Sequence, residues 1–220
     1  MAPKAFALAA LAALAAAPAG AGEMFAGSYD GDWLVRVRGI GVIPNESLTA
    51  DGIPGSDANI TTSVVPELDI TYFFTPNIAA ELILGTTPHD VSGRGALAGA
   101  DIGSVWLLPP TLTLQYHVTQ LGEWTGSESL AKVKPYFGAG VNYTIFYNED
   151  AGQFNSIDYD NAFGAALQAG VDMELGDGFY LNADVKYIFL ETDWSINDGA
   201  ITGSVDINPL IVGLGLGYRF

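Results

Sequence analysis

The chain has no cysteine among its 220 residues. That excludes a disulfide scaffold, a thiolate metal centre and an acylated N-terminal cysteine. Charge is sparse and one-sided: 15% of residues are charged, with 8 Lys and Arg against 25 Asp and Glu, for a formal net charge of −17. Nucleic acid is therefore excluded as a partner, because its binding rests on cations set against phosphates. Past the N-terminus no apolar run approaches the ~18 residues of a transmembrane helix, and helical periodicity is nearly missing. What the chain does have is glycine (27 residues), aromatics (11%) and strict alternation.

The N-terminal stretch MAPKAFALAALAALAAAPAGAGE holds one base, Lys4, then an uncharged Ala/Leu run from Ala5 to Ala17. Pro18 breaks the run, and Ala19-Gly20-Ala21 supplies small residues for a cleavage site. The expected organisation is a secretory signal peptide over 1–21 and a single mature domain over 22–220. The run is too short and too rich in alanine for a membrane anchor. The chain is expected to be exported.

Downstream, apolar and polar residues alternate in eight segments: 32–43, 64–74, 78–87, 105–118, 133–147, 162–175, 179–191 and 205–220. Long connections fall at 44–63, 88–104, 148–161 and 192–204. Thr75-Pro76-Asn77 and Gly176-Asp177-Gly178 read as tight turns, and 119–132 as a longer one. An even number of strands with short turns at one end and long loops at the other predicts an all-β fold, an eight-stranded antiparallel transmembrane barrel. The short turns and both termini then lie on the periplasmic side of the outer membrane.

In each segment one row is apolar and free of charge. Examples are Leu112, Leu114 and Tyr116; Phe137, Ala139 and Val141; and Val212, Leu214, Leu216, Tyr218 and Phe220. The opposite rows are rich in small residues, among them Gly138, Gly140, Gly164, Ala166, Gly170, Gly213, Gly215 and Gly217. A soluble sandwich or lipocalin-like barrel would turn its apolar row inward and carry long polar side chains outside. Small residues instead suit the crowded interior of a narrow barrel. The apolar rows are therefore expected to face outer-membrane lipid, with Tyr72, Phe74, Tyr218 and Phe220 in an aromatic girdle.

Several stretches together carry a family resemblance: LLPPTLTLQYHV (107–118), KPYFGAGVNYTIFYNED (134–150), ALQAGVDMEL (166–175), LNADVKYI (181–188), VDINP (205–209) and GLGYRF (215–220). Over nearly all its mature length the chain resembles the OmpW family of small outer-membrane proteins. The resemblance implies an eight-stranded barrel, passage of small hydrophobic molecules and, in some members, a receptor role for toxins or phage. It also implies that the terminal Phe220 is recognised by the barrel-insertion machinery. The long connections here carry Glu46, Asp51, Asp57, Asp90, Asp101, Glu149, Asp150, Asp158, Asp160, Asp193 and Asp198 against Arg94 alone. Loop-borne ligands are therefore not carried over from relatives.

Sorting the inward rows by strand direction divides the expected lumen. An ion-pair belt of Arg36, Arg38, Glu67, Asp69, Glu81, Lys134, Asp172, Glu174, Asp184, Lys186 and Arg219 occupies the lower and middle part, together with Gln115, His117, Tyr136 and Tyr180. Charges in so narrow a space persist only when paired. The apolar upper tier comprises Ile40, Val42, Val65, Ile83, Leu107, Phe146, Ile188, Leu190 and Ile211. It reads either as a pocket for a small hydrophobic solute or as a core filled by its own side chains. A solute halted above paired charges would have to leave sideways through the wall. The function expected from this partition is passive uptake of small hydrophobic molecules. The alternative is a surface receptor or structural protein that acts through its acidic loops.

Catalytic and metal chemistry finds little footing. Glu67/Asp69 and Asp172/Glu174 have one-face spacing, but as lumen residues they are expected to be salt-bridge partners. His89, placed in a loop, and His117 make no zinc site. The serines lack a nucleophile-elbow context. No enzyme, metal or cofactor is expected.

Overall fold

The computed structural model describes residues 31–220, so the expected signal peptide over 1–21 lies outside the described residues. Two turns show how local sequence starts the architecture. Asp177 and Gly178 join two strands with φ of 52° and 81°. This two-residue left-handed turn matches the twist of the flanking strands, and it tolerates Asp and Gly where most side chains would be strained. At the other tight turn the Phe74 amide donates to the Ile78 carbonyl (2.9 Å). There the Asn77 side chain donates to the His117 carbonyl (2.7 Å) and to the Thr119 hydroxyl (3.0 Å), tying one turn to its neighbour.

The strands are β1 (Asp32–Ile43), β2 (Ser47–Ala50), β3 (Ser56–Ile60), β4 (Ser63–Phe73), β5 (Ile78–Gly85), β6 (Thr87–Gly95), β7 (Asp101–Leu108) and β8 (Thr111–His117). After the short helices α1 (Leu121–Thr125) and α2 (Glu128–Ala131) come β9 (Val133–Asp150), β10 (Ile157–Tyr159), β11 (Ala162–Gly176), β12 (Phe179–Phe189), β13 (Glu191–Ile196), β14 (Ile201–Asp206) and β15 (Leu210–Arg219). Eight of these strands close an antiparallel barrel in the order β1-β4-β5-β8-β9-β11-β12-β15 and back to β1. Backbone bonds between Trp33 and Phe220 (3.0 and 2.9 Å) complete the closure at the chain's last residue.

The faces follow the alternation. In β8, Thr111, Thr113, Gln115 and His117 are buried, while Leu112, Leu114 and Tyr116 are exposed. A water-soluble strand would show the reverse. Rings gather at both ends of this exposed apolar band. Trp33, Tyr72 and Phe74 pack together below, as do Phe179, Tyr218 and Phe220. Tyr143 with Phe163, Trp106 with Tyr147 and Tyr187 with Phe189 pack above.

The glycine-rich inner rows have a specific use. Arg38 pairs with Gly215 and Arg36 with Gly217 in the β1–β15 register. A Cβ on Gly215 would sit 2.6 Å from Arg38 Cγ, and one on Gly217 would sit 3.0 Å from Arg36 Cγ. The bare row on β15 is the space in which two arginine side chains cross the lumen.

The upper half differs from expectation. The connections expected as long loops are largely strands, which extend the barrel wall as two sheets. One is β3-β6-β7, paired onto β9; the other is β10-β13-β14-β2. The segment expected as one strand over 105–118 is two, β7 and β8, because Pro109 and Pro110 cannot donate to a ladder. The last expected strand, 205–220, likewise splits at 207–209, around Pro209.

Candidate functional site

Arg36 and Arg38 organise the middle of the lumen. Arg36 grips Asp172 at two points, Nε to Oδ1 at 3.1 Å and Nη2 to Oδ2 at 2.6 Å, while its Nη1 donates to Glu81 (2.9 Å) and Thr71 (2.8 Å). Arg38 donates from Nη2 to Asp69 (2.8 Å) and from Nε to Glu67 (3.1 Å), and its Nη1 reaches Asn182 and Asp184 at 3.2 Å. Neutral groups knit the rest. Gln115 and Gln168 both donate to Glu81 Oε2 (2.8 Å each), Gln168 also donates to Asp184 (2.9 Å), and the Tyr136 hydroxyl donates to Asp184 (3.0 Å). His117 stacks on Tyr136 with ring centroids 4.8 Å apart. Five carboxylates (Glu67, Asp69, Glu81, Asp172, Asp184) and three cations (Arg36, Arg38, Lys186) are buried in this one layer. It crosses the lumen as a layer of paired charges and amides.

Three residues of the expected belt, Lys134, Glu174 and Arg219, lie at its lower edge and not in this middle layer. Lys134 pairs with Glu174 (3.1 Å) towards the lower mouth, where the side chains are 20% and 40% exposed. Arg219 pairs with Asp32 (2.8 Å), an acid not expected in the belt, and its guanidinium lies 4.0 Å above the Phe73 ring. Leu34, Phe73, Ala79 and Tyr180 form a small apolar cluster on these lower strands. The lower lumen is thus not uniformly polar.

Above the belt, Ile40, Val42, Leu107, Phe146, Ile188, Leu190 and Ile211 share one apolar cluster, with Val65 half-buried against it, and Ile83 is buried close by. The upper sheets add Leu48, Val91, Val105, Trp194 and Val205 to that cluster, and the link after β14 adds Ile207, all from segments expected as loops or at their edges. Small voids lie within this tier. A space of about 40 Å³ is bounded by Ile40, Val42, Ile83, Leu107, Ile188, Leu190 and Ile211, with Lys186 and Glu67 also lining it. A second, of about 20 Å³, is lined by Leu48, Val91, Leu107, Phe146, Tyr159 and Val205. These hold a few waters at most. In this conformation the tier is mainly filled by its own side chains.

His89 lines both voids. Expected in a loop, it lies on β6, buried, with Nδ1 2.7 Å from the Thr61 carbonyl and Nε2 3.1 Å from the Thr87 hydroxyl. Burial holds its pKa below the ordinary histidine value, so it is neutral at pH 7. The signal was present in sequence, since Thr87, His89 and Val91 alternate with Pro88, Asp90 and Ser92.

The wall beside the larger void is interrupted. The β5–β8 ladder ends at Ile83↔Thr111 and the β6–β7 ladder begins at Thr87↔Leu107. The register is the same on both sides, so the strands part without slipping. Residues 84–86 and 108–110 form the interruption. Across it the Thr86 hydroxyl donates to the Leu107 carbonyl (3.1 Å) and shares a hydrogen bond with the Tyr147 hydroxyl. Gly85, Thr87, Leu107, Pro109 and Thr111 all line the larger void, as do Pro44 and Pro209 from the seam where the Asn45 amide donates to the Ile207 carbonyl (3.0 Å).

Comparison with known proteins bears on this geometry. A model described as the OmpW family matches residues 29–220. An outer-membrane protein of Sinorhizobium fredii, y4mB, is 50% identical over 86% of this chain and 80% of its own. Outer membrane protein W of Vibrio cholerae is 35% identical over 97% of both chains. The dibenzothiophene metabolism operon protein PahQ of Pseudomonas aeruginosa is 30% identical over 79% of both. Among solved structures, the outer membrane protein OprG of Pseudomonas aeruginosa superimposes with a TM-score of 0.76 at 30% identity, covering 86% of this chain and 96% of that one.

Proposed function

This chain belongs to the OmpW family of outer-membrane barrels, and from that footing we propose that it mediates passive uptake of small hydrophobic molecules through its upper lumen, with sideways exit into the membrane. The observation that carries the reading is a juxtaposition. The apolar void lies directly on a layer of paired charges, and its side wall contains the in-register break at 84–86 and 108–110. A solute entering from above gains roughly 25 cal/mol per Å² of apolar surface removed from water. Descent would require it to desolvate paired charges, each worth several kcal/mol. The wall break opens instead towards lipid, at a level where two prolines leave no amide to pair. That one relative is named for dibenzothiophene metabolism supports an apolar aromatic solute class.

In this reading residues 1–21 direct export, both termini and the short turns face the periplasm, and the exposed terminal Phe220 engages the barrel-insertion machinery. The acids around the outer face of β10, β13 and β14 favour a surface role instead, but such a role leaves the lumen void and the wall break without a use.

The absence of native cysteine makes a direct test possible. Thr86→Cys with Leu108→Cys places a thiol on each side of the break in matching register. Uptake of a small aromatic hydrocarbon by cells carrying the variant should fall on oxidation and return on reduction. Equal uptake by the oxidised and reduced forms would rule out this exit.

A further inference from the structure

We propose that Lys186 is the specificity-determining residue of the upper void. It would hydrogen-bond a neutral acceptor oxygen on an otherwise apolar solute, such as the carbonyl of a ketone. The inference rests on the preceding reading that apolar solutes occupy this space, and it names the ones held most tightly there, those that carry one neutral acceptor oxygen.

The Lys186 side chain is 1% exposed, yet among the described residues its ammonium has no hydrogen-bond partner. Its nearest carboxylate oxygens are Glu67 Oε2 at 3.8 Å and Asp184 Oδ1 at 4.0 Å, near enough to balance charge but too far to accept a proton. Arg36 and Arg38, in the same layer, are saturated by close acceptors. Lys186 alone among these cations also lines the larger void, where its other neighbours include Ile40, Ile83, Ile188 and Ile211. A buried ammonium with unused donors on an apolar space is a strong binding group for any acceptor that reaches it.

Charge selects which acceptor. The layer holds five carboxylates against three cations, and two of those carboxylates flank Lys186 itself. A carboxylate head group would add an anion to an already negative layer. A carbonyl gains the charge-assisted hydrogen bond without that repulsion, while its chain occupies the apolar tier. An alkane fills the tier and leaves the ammonium unsatisfied.

The test uses the folded barrel in lipid vesicles with 2-octanone, octane and octanoate. Infrared spectra should show a 2-octanone carbonyl band moved to lower frequency, beyond that in protein-free vesicles. Protein-dependent partition should favour 2-octanone over octane by roughly tenfold or more, the factor expected from one hydrogen bond to a charged group. In K186M/E67Q, which keeps the charge of the layer unchanged, the moved band should vanish and the ratio should approach one. L82A, on the outer face, should keep both. An unmoved carbonyl band in the wild-type barrel overturns the proposal even if the paired variant fails to fold. So does octanoate binding as tightly as 2-octanone, or a moved band that persists without Lys186. Failure of cellular uptake with this binding intact would refute the transport reading and leave the ammonium site standing.

Discussion

Arg36 and Asp172 stand 136 residues apart in the chain and meet across the lumen in a two-point ion pair, with the closer contact at 2.6 Å. The pair joins β1 to β11, which are not neighbours in the barrel, so it braces the wall from inside.

Loss of that brace should be expensive. Arg36→Ala strands Asp172 and Glu81 as buried carboxylates without their main cation, which destabilises a dry site by about 3–5 kcal/mol. Arg36→Lys should destabilise less but still measurably, because one ammonium cannot reproduce the fork that reaches Asp172, Glu81 and Thr71 together. The unfolding temperature on detergent gels, read as the conversion from compact to heat-denatured migration, should fall in the order wild type, Lys, Ala.

The same layer should block ions. Eight strands leave room for side chains and little else, and here the middle is filled by buried side chains from Arg36 to Lys186. Planar-bilayer recordings should show no large persistent conductance. A steady porin-like current would mean that the layer is open.

Position and face separate the tiers in a mutational test of uptake. Leu190→Asp or Ile83→Lys places an unpaired charge in the upper tier, where both residues are buried on the void, and should reduce uptake of a small hydrocarbon to background. Leu82→Ala changes only the outer face and should leave it near wild type. Surface labelling of the upper connections verifies insertion in each case.

Acid should loosen the upper wall at His89. Its folded pKa lies below the ordinary value of 6.5, so the unfolded or opened form binds the proton more readily. The stabilisation is therefore complete above about pH 6.5 and is lost as pH falls below that value towards the folded pKa. Hydrogen exchange at residues 87–91, corrected for intrinsic rate, should be faster at pH 5.5 than at pH 7.5. In His89→Asn, which keeps a donor towards the Thr61 carbonyl, the pH dependence should be weakened.

The faces of the strands, and with them the barrel, were legible in the sequence because side-chain direction depends only on counting by two. Leu112, Leu114 and Tyr116 had to lie opposite Thr113 and Gln115 whatever else the chain did. Strand direction then ordered those residues by approximate height, which separates Arg36 and Arg38 from Ile40 and Val42. Which groups actually touch was decided by closure and tilt, which bring together strands that no local pattern relates. So Arg219 met Asp32 rather than an acid of the middle layer, and Lys134 settled with Glu174 near the mouth. The upper sheets were hidden for a related reason. Strands such as β2 and β10 are only 4 and 3 residues long, too short for alternation to stand out, and they form because a neighbouring edge is waiting to pair. Lys186 was placed inside by its parity, but only the packed lumen could leave its ammonium without a hydrogen-bond partner, because a donor's partners depend on distances across the barrel and not on the order of residues along it.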